Sequence, residues 1–235
     1  MRLDRLVGRA MHLGGRALRE NILSGAVVVD GSAENDRSRR IGAFERVECD
    51  GLVLQGRERR ALMMHKPAGV VSATTDREHR TAIDLIDEVW RDELHLAGRL
   101  DRFTTGLLIL TNDSEFSESL TAPDRKVPKG YRVETERPIC DRAVAAIRSG
   151  IRFEKERATS LPAQIELDAD TRCRLTIYEG KHHQIKRMFA KFDIKVTALH
   201  RFRIGEIWLD PGLSPGEYRP LTEAEAVLKP CPAGG

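Results

Sequence analysis

The pattern of apolar and polar positions predicts a chain in which short strands and helices are interleaved. Gly106 opens a run of four large aliphatic residues, Leu107 to Leu110, which is typical of a strand buried on both faces. Residues 61–64 form another apolar run of strand length, and residues 129–135 alternate as in a half-buried strand. Apolar residues at helical spacing follow in the segments 82–90, 115–120, 141–149 and 185–192. No glycine-rich phosphate loop joins these elements, which argues against a Rossmann or P-loop fold.

The N-terminal quarter has its own pattern. Residues 2–24 carry two apolar stripes at helical spacing, and short strands follow at residues 27–29 and 47–49, each before an Asp-Gly turn. Residues 55–60 are charged and lack periodicity, as linkers do. We therefore predict four segments, namely a small domain at 1–56, a linker at 57–60, a larger domain at 61–229 and a disordered tail at 230–235.

Composition indicates a globular protein. The 235 residues are 40% hydrophobic and 32% charged, unlike a disordered chain. No apolar run approaches the roughly 18 to 20 residues of a membrane span, and the first residues lack the apolar segment of a secretory signal. We therefore expect no membrane association and a cytoplasmic location. The four cysteines are scattered without metal-ligand spacing, so they predict neither a zinc site nor a disulfide framework.

Basic charge is concentrated near the N-terminus. Residues 1–60 contain 12 arginines, no lysine and 9 acidic residues, an excess that equals the net charge of +3 for the whole chain. Because a guanidinium can fork onto a phosphate, a surface with arginine as its only cation suits RNA. The outward-facing candidates on the two predicted helices are Arg2, Arg5, Arg9, Arg16 and Arg19. The alternative is an ordinary solvated basic face.

The candidate for chemistry is Asp101, in the polar stretch before the buried strand. Arg99 and Arg102 flank it, and the strand anchors its loop to the core. A carboxylate held on a rigid element among cations, with no cluster of metal ligands, suits a nucleophile or general base. The alternative is an aspartate that caps a turn before a core strand. Adjacent histidines at 182 and 183 suggest a metal only weakly, because neighbours at a helix start are expected to point in different directions.

The stretch Gly98–Asp113, reading GRLDRFTTGLLILTND, closely resembles the signature of RsuA-type RNA pseudouridine synthases. In that family the aspartate is the nucleophile, which implies this role for Asp101. Three further motifs occur in the family's order. The first is Lys66-Pro67-Ala68-Gly69, which in the family lies at the edge of the cleft. The second is Lys129-Gly130-Tyr131, whose tyrosine lies against the target uracil in the family. The third spans residues 179–188, where Lys186 takes the position of the basic partner of the aspartate. A cation within about 4 to 6 Å favours a charged carboxylate, and Lys186 or Arg187 could supply it.

Gly130 departs from the family, which usually has a larger residue there, so we expect a looser backbone before Tyr131. Residues 2–31 resemble the S4 RNA-binding domain, on Arg2-Leu3-Asp4, Arg16 and the run from Gly25 to Gly31. The combined resemblance implies an α+β fold: a small S4-like helix-helix-strand domain followed by a synthase domain with a mixed, largely antiparallel central sheet. The RNA contacts expected in the second domain are Lys66, Arg99, Arg102, Thr104, Thr105, His183, Gln184 and Arg187.

The activity implied by the resemblance is isomerisation of a uridine to pseudouridine in 16S ribosomal RNA, with the base flipped into a central cleft. Catalysis would rest on Asp101, Tyr131 and Lys186, with no metal or other cofactor. The expected partner is ribosomal RNA, either free or within an assembling small-subunit particle, and the expected state is a monomer. Two alternatives stay open: a 23S ribosomal RNA synthase of the same family, and a non-catalytic S4-domain protein that binds RNA or assists ribosome assembly.

Overall fold

The computed structural model describes residues 1–154 and 157–226. The chain divides into two compact units, residues 1–59 and residues from 60 onward. This boundary falls within the predicted linker at 57–60. The predicted tail at 230–235 and the last three residues of the predicted second domain lie outside the described residues. Within the described ranges, every helix is too short or too polar to cross a bilayer.

The first unit combines two helices with a four-stranded antiparallel sheet of order β2-β1-β3-β4. The elements are α1 (Leu3–Ala10), α2 (Gly15–Leu23), β1 (Val27–Val29), β2 (Ser32–Ala33), β3 (Val47–Cys49) and β4 (Leu52–Gln55). Leu3, Leu6 and Ile22 pack with the valines of β1 and β3 in one buried core. The apolar stripes are narrower than predicted, because Ala10, Ala17 and Leu23 are exposed.

The five arginines predicted to point outwards from this unit are exposed. Arg2 forms an ion pair with Asp4 at 2.7 Å, and Arg16 forms one with Glu20 at 2.6 Å. Both pairs are solvated, so each contributes little to stability and leaves its guanidinium accessible. The identification of this unit as an S4 domain remains a prediction.

The second unit contains the remaining elements. In chain order they are β5 (Ala61–Lys66), a 3₁₀ turn (Ile83–Leu85), α3 (Glu88–Arg91), β6 (His95–Ala97), β7 (Thr105–Thr111), α4 (Ser114–Thr121), a 3₁₀ turn (Pro123–Arg125), β8 (Lys129–Thr135), α5 (Asp141–Ser149), β9 (Arg152–Phe153), β10 (Ala158–Thr159), β11 (Gln164–Ala169), β12 (Arg172–Ile177), α6 (Gln184–Ala190), β13 (Val196–Ile204), β14 (Ile207–Trp208), β15 (Tyr218–Pro220) and α7 (Glu223–Ala226).

One large sheet organises this unit, in the order β11-β12-β8-β13-β7-β5-β15, with β6 paired to β7 and β14 paired to β13. Among its described pairings only β13 with β7 is parallel. The predicted α+β class with a mixed, largely antiparallel sheet is confirmed.

The strand β7 is the centre of the core, as its composition predicts. Leu107, Leu108, Ile109 and Leu110 have no exposed surface. Their side chains alternate between two apolar clusters, with Leu108 and Leu110 in one and Leu107 and Ile109 in the other. The loop that carries Asp101 therefore leads directly into the most deeply buried strand.

Gly106 allows β7 and β13 to approach each other. Its φ of +103° lies in the region that only glycine enters readily. A Cβ at this position would lie 2.2 Å from the carbonyl oxygen of Arg201 on β13. The glycine of the sequence motif is thus required by the backbone at the point where the two parallel strands meet.

The helix predicted over residues 82–90 is wrong. A 3₁₀ turn at Ile83–Leu85 is followed by Ile86 in extended conformation, and α3 begins only at Glu88. The side chains of Thr81 and Asp84 each accept a bond from the other's backbone N–H, which caps the start of the 3₁₀ turn. Ile86 is buried, whereas Val89 is 82% exposed.

The expectation that Gly130 loosens the backbone before Tyr131 is also wrong. The Phe202 ring packs on Gly130, where a Cβ would come within 2.8 Å of two ring atoms. Phe202 in turn stacks on Trp208, with ring centroids 5.5 Å apart. Gly130 therefore makes room for an aromatic pair and lies in a closely packed strand.

Candidate active site

The Asp101 loop connects β6 to β7, and a buried serine holds its backbone. The Ser72 hydroxyl donates to the carbonyl oxygen of Leu100 at 2.9 Å and accepts from the Leu100 N–H at 3.0 Å. Both backbone polar groups of Leu100 are thereby satisfied away from water. Ser72 thus positions the residue next to Asp101, a role that the sequence motifs did not reveal.

Lys66 fixes the other side of the same loop. Its ammonium donates to the carbonyl oxygens of Pro67, Arg102 and Thr104 at 3.0, 3.1 and 3.0 Å. The side chain has no exposed surface, so the predicted RNA contact of Lys66 is corrected to a structural role. Burial lowers the pKa of Lys66 to about 8, an effect that nearby Asp101 opposes and Arg201 adds to.

The Asp101 carboxylate lies between two basic side chains of the segment that starts α6. Its Oδ1 is 3.3 Å from His183 Nε2, and its Oδ2 is 3.3 Å from Lys186 Nζ. The carboxylate side chain retains 27% of its exposure, so it can be reached from solvent. Of the two predicted basic partners, the structure selects Lys186, because the Arg187 guanidinium packs over the Phe153 ring at 4.1 Å.

Hydrogen bonds before α6 set the position of Lys186 and His183. The Gln184 amide group donates to Glu179 Oε1 at 2.7 Å, and its oxygen accepts from the Lys181 N–H at 3.0 Å. Glu179 also pairs with the Lys181 ammonium at 3.1 Å. Gln184 is buried, so its predicted contact with RNA is corrected to a positioning role in this turn.

The adjacent histidines do not point in different directions as expected. The rings of His182 and His183 are stacked, with centroids 3.8 Å apart and planes inclined by 24°. His183 adopts a positive φ of 49°, which turns its ring toward Asp101. In the part of the chain that the structure describes, no group of three or more His, Cys, Asp or Glu side chains is arranged to hold a metal.

A cleft of about 350 Å³ opens beside Asp101. This volume is within the range of sites for small molecules, at about 300 to 1,000 Å³. Asp101, Tyr131, Lys186 and His183 all border it, so the predicted catalytic residues meet in one place. Tyr131, on β8, is 7% exposed and gives the cleft an aromatic wall.

Arg201 and Lys129 also border this cleft, and neither was assigned a role from the sequence. The Arg201 guanidinium, on β13, donates to the carbonyl oxygen of Leu107 at 2.9 Å, while its Nη2 is buried without a partner in the described structure. Lys129, on β8, donates to the carbonyl oxygen of Val127 at 3.1 Å, and burial lowers its pKa to about 8. Their sequence signal was weak, because only the register of β8 against β13 brings Lys129 and Arg201 to the cleft.

The remaining predicted contact residues differ in exposure. Arg99 is exposed and borders the cleft, whereas Arg102 is exposed outside its lining and donates to the Gly69 carbonyl oxygen at 3.2 Å. Thr104 is buried. The Thr105 hydroxyl is 2.9 Å from His200 Nδ1, and burial lowers the pKa of His200 to about 4, with smaller contributions from His65 and Arg132.

This arrangement is chemically specific. A solvent-accessible carboxylate lies on a braced loop, with a lysine and a histidine at hydrogen-bonding range and an aromatic wall opposite. Such a carboxylate can attack an electrophilic carbon or accept a proton, while the wall can stack on a planar ring. Fold and site together therefore fit an enzyme that uses a carboxylate for its chemistry.

The chain belongs to the RNA pseudouridylate synthase family, whose model matches residues 60–191. The predicted enzyme class, an isomerase that acts on RNA, is confirmed. A solved structure described as a pseudouridylate synthase superposes with a TM-score of 0.70 at 35% identity, covering 96% of this chain and 98% of that one.

Curated relatives match over nearly their whole length. Ribosomal small subunit pseudouridine synthase A of Pseudomonas aeruginosa is 47% identical over 96% of this chain and 98% of that protein. The proteins of the same name from Vibrio cholerae and Escherichia coli are 45% and 39% identical, over 97% and 96% of this chain and 98% of each relative.

Proposed function

We propose that this protein converts a uridine of 16S ribosomal RNA, in the small ribosomal subunit, to pseudouridine. The observation that carries the chemistry is the Asp101 carboxylate held 3.3 Å from both Lys186 and His183 at the edge of the cleft. The substrate is inferred from the relatives named above, which are called ribosomal small subunit synthases and align over almost the entire chain.

In the proposed reaction the bond between uracil N1 and ribose C1′ breaks and a bond between C5 and C1′ forms. The hydrogen on C5 leaves as a proton and N1 gains one, so the product is an isomer. Asp101 either attacks C1′ or removes a ribose proton, and both routes fit a carboxylate in this position. Lys186 compensates the charge of the carboxylate once RNA closes the cleft and excludes water.

Tyr131 and the arginines beside Asp101 would hold the flipped nucleotide. A target base within a stack must be extruded, at a cost of a few kcal/mol. Stacking on an aromatic ring stabilises the extruded base by about 1 to 3 kcal/mol. The exposed guanidinium groups of Arg99 and Arg102 can bind the displaced backbone. The cleft is large enough, at about 350 Å³, for one base.

The test is release of tritium from 16S and 23S transcripts labelled at uridine C5. The wild type should release tritium from 16S RNA, and Asp101→Ala should reduce the rate by at least about 10³-fold, since it removes the reacting group. Asp92→Ala is the matched control, because Asp92 is an exposed carboxylate at the end of α3. This control should retain the wild-type rate.

Other results would select one of the alternatives. Release from 23S RNA alone would identify 23S RNA as the substrate and leave the proposed reaction unchanged. If neither RNA releases tritium, even as a partial particle with ribosomal proteins, a non-catalytic RNA-binding role would replace the proposal. Equal rates for Asp101→Ala and wild type would remove Asp101 from the reaction.

The first unit would act as an S4-type RNA-binding domain through Arg2, Arg5, Arg9, Arg16 and Arg19, all of which are exposed. The substrate would be the RNA in an assembling small-subunit particle, and the enzyme would act as a monomer in the cytoplasm. Filter binding of a 16S transcript at increasing salt tests the role of the arginines. Replacing an arginine that binds a phosphate should make the affinity less dependent on salt, because fewer counterions are then released on binding.

A further inference from the structure

A second cavity, which we call the flanking groove, lies next to the catalytic cleft. It has a volume of about 700 Å³, and its lining includes Phe103, Thr104, Lys186, Lys195 and Leu199. Three of these residues, Thr104, Lys186 and Leu199, also border the cleft that contains Asp101. The two cavities therefore share a wall, and a group bound in one has an immediate neighbour in the other.

Phe103 gives the flanking groove an exposed aromatic surface. Its side chain is 67% exposed although it is only two residues from the candidate nucleophile. A single exposed aromatic residue is common and has no meaning alone. Phe103 differs because it lines a cavity beside the reaction site and has the Arg102 guanidinium 5.2 Å from its ring centroid. An exposed ring with a cation beside it is the combination on which single-stranded nucleic acids stack.

The charges and polar groups of the flanking groove fit a nucleotide. Lys186 and Lys195 line it, while Asp193 is the only acidic residue among its described lining residues. Lys195 is exposed, and within residues 1–154 and 157–226 its ammonium has no ion-pair or hydrogen-bond partner. Thr104 is 2% exposed, and its hydroxyl has no partner in the described structure although it borders both cavities. A phosphate in the groove would pair with the exposed Lys195 ammonium.

We propose that the flanking groove binds the nucleotide adjacent in the RNA to the flipped uridine, with its base stacked on Phe103 and its phosphate near Lys195. The inference rests on the proposed function, since it requires a uridine in the neighbouring cleft. It gives Phe103 a task that differs from that of Tyr131. Tyr131 faces the reacting base, whereas Phe103 keeps the adjacent base from returning to the helical stack.

The test is a double-mutant cycle that combines a change in the protein with a change in the RNA. Once the modified uridine has been located, transcripts are made in which the nucleotide on its 5′ or its 3′ side is abasic. For the wild type, removing the base that contacts Phe103 should lower kcat/KM by between about 5-fold and about 150-fold, the range of one base stacked on an aromatic side chain. Phe103→Ala should lower it similarly on intact RNA and should show no further loss on that abasic RNA.

Variants at the same position separate stacking from bulk. Phe103→Trp should retain the rate and the dependence on the adjacent base, whereas Phe103→Leu should lose both. Val89→Ala, at another exposed apolar residue, should behave as wild type. Two results would overturn the proposal. In the first, Phe103→Ala lowers kcat/KM by the same factor on intact RNA and on each of the two abasic RNAs. In the second, Phe103→Ala has no effect on intact RNA.

A second measurement does not require catalysis. Ultraviolet crosslinking of the Asp101→Ala protein to the 16S transcript, followed by nuclease digestion and peptide mass analysis, should attach a nucleotide to Phe103. The crosslink remains informative if the wild type forms no pseudouridine. A crosslink to Phe103 would then support nucleotide binding in the flanking groove although the proposed function fails. Absence of the crosslink would overturn both proposals. If pseudouridine forms without coupling to Phe103, the proposed function stands and the flanking groove is rejected.

Discussion

Replacing Lys66 by methionine separates two roles that a cleft lysine can have, bracing the catalytic loop and binding RNA. The ammonium makes three bonds of 3.0 to 3.1 Å to carbonyl oxygens around Asp101. At the low end for bonds to a charged group, about 1.5 kcal/mol each, these contribute about 4 to 5 kcal/mol. Burial lowers the pKa of Lys66 from 10.5 to about 8, and the value used for each bond is a net one that already contains this desolvation.

These three bonds predict that Lys66→Met loses about 4 to 5 kcal/mol of unfolding free energy, measured by urea denaturation. The kcat of the variant should fall by about 10²-fold or more, because a displacement of about 1 Å in a reacting group can have that effect. Single-turnover pseudouridine formation on a 16S transcript measures it.

The outcome that refutes this reasoning is a variant with normal kcat and raised KM. It would mean that Lys66 contacts RNA and that its carbonyl bonds are dispensable. Lys191→Met is the matched control, because Lys191 is an exposed lysine just after α6. That variant should leave both stability and kcat unchanged.

Two further predictions concern stability. Gly106→Ala should lower the free energy of unfolding by more than about 3 kcal/mol, because its Cβ would lie 2.2 Å from the Arg201 carbonyl oxygen at a φ of +103°. His200→Gln should reduce the acid sensitivity of the fold. Since burial lowers the pKa of His200 from 6.5 to about 4, the unfolded chain binds more protons between these pH values, so the wild type loses up to about 3 kcal/mol as pH falls from 6.5 to 4.

Denaturant titrations check both predictions. Gly180→Ala is the control for the first, because a Cβ there meets no atom within 4 Å and should change stability by less than about 0.5 kcal/mol. A stable Gly106→Ala protein would show that β13 can move away from β7. For His200, identical stability curves of wild type and variant between pH 4 and 6.5 would contradict the burial argument.

Local sequence patterns determined the individual elements and the candidate nucleophile. Strand β7 could be predicted because hydrophobic periodicity depends on neighbouring residues along the chain. The pattern failed at residues 82–90, where Ile86 is extended and separates the 3₁₀ turn from α3. Asp101, Tyr131 and Lys186 were identified from motifs, and the structure brings all three to one cleft.

Only the tertiary structure decided what surrounds these three residues. Lys66 resembles a surface cation in the sequence, but pairing of β5 with β7 places it under the Asp101 loop. Arg201 and Gly130 acquire their roles from the register of β13 against β7 and β8. Burial and hydrogen-bond partners come from residues far apart in the chain, and no periodic pattern within one segment contains that information.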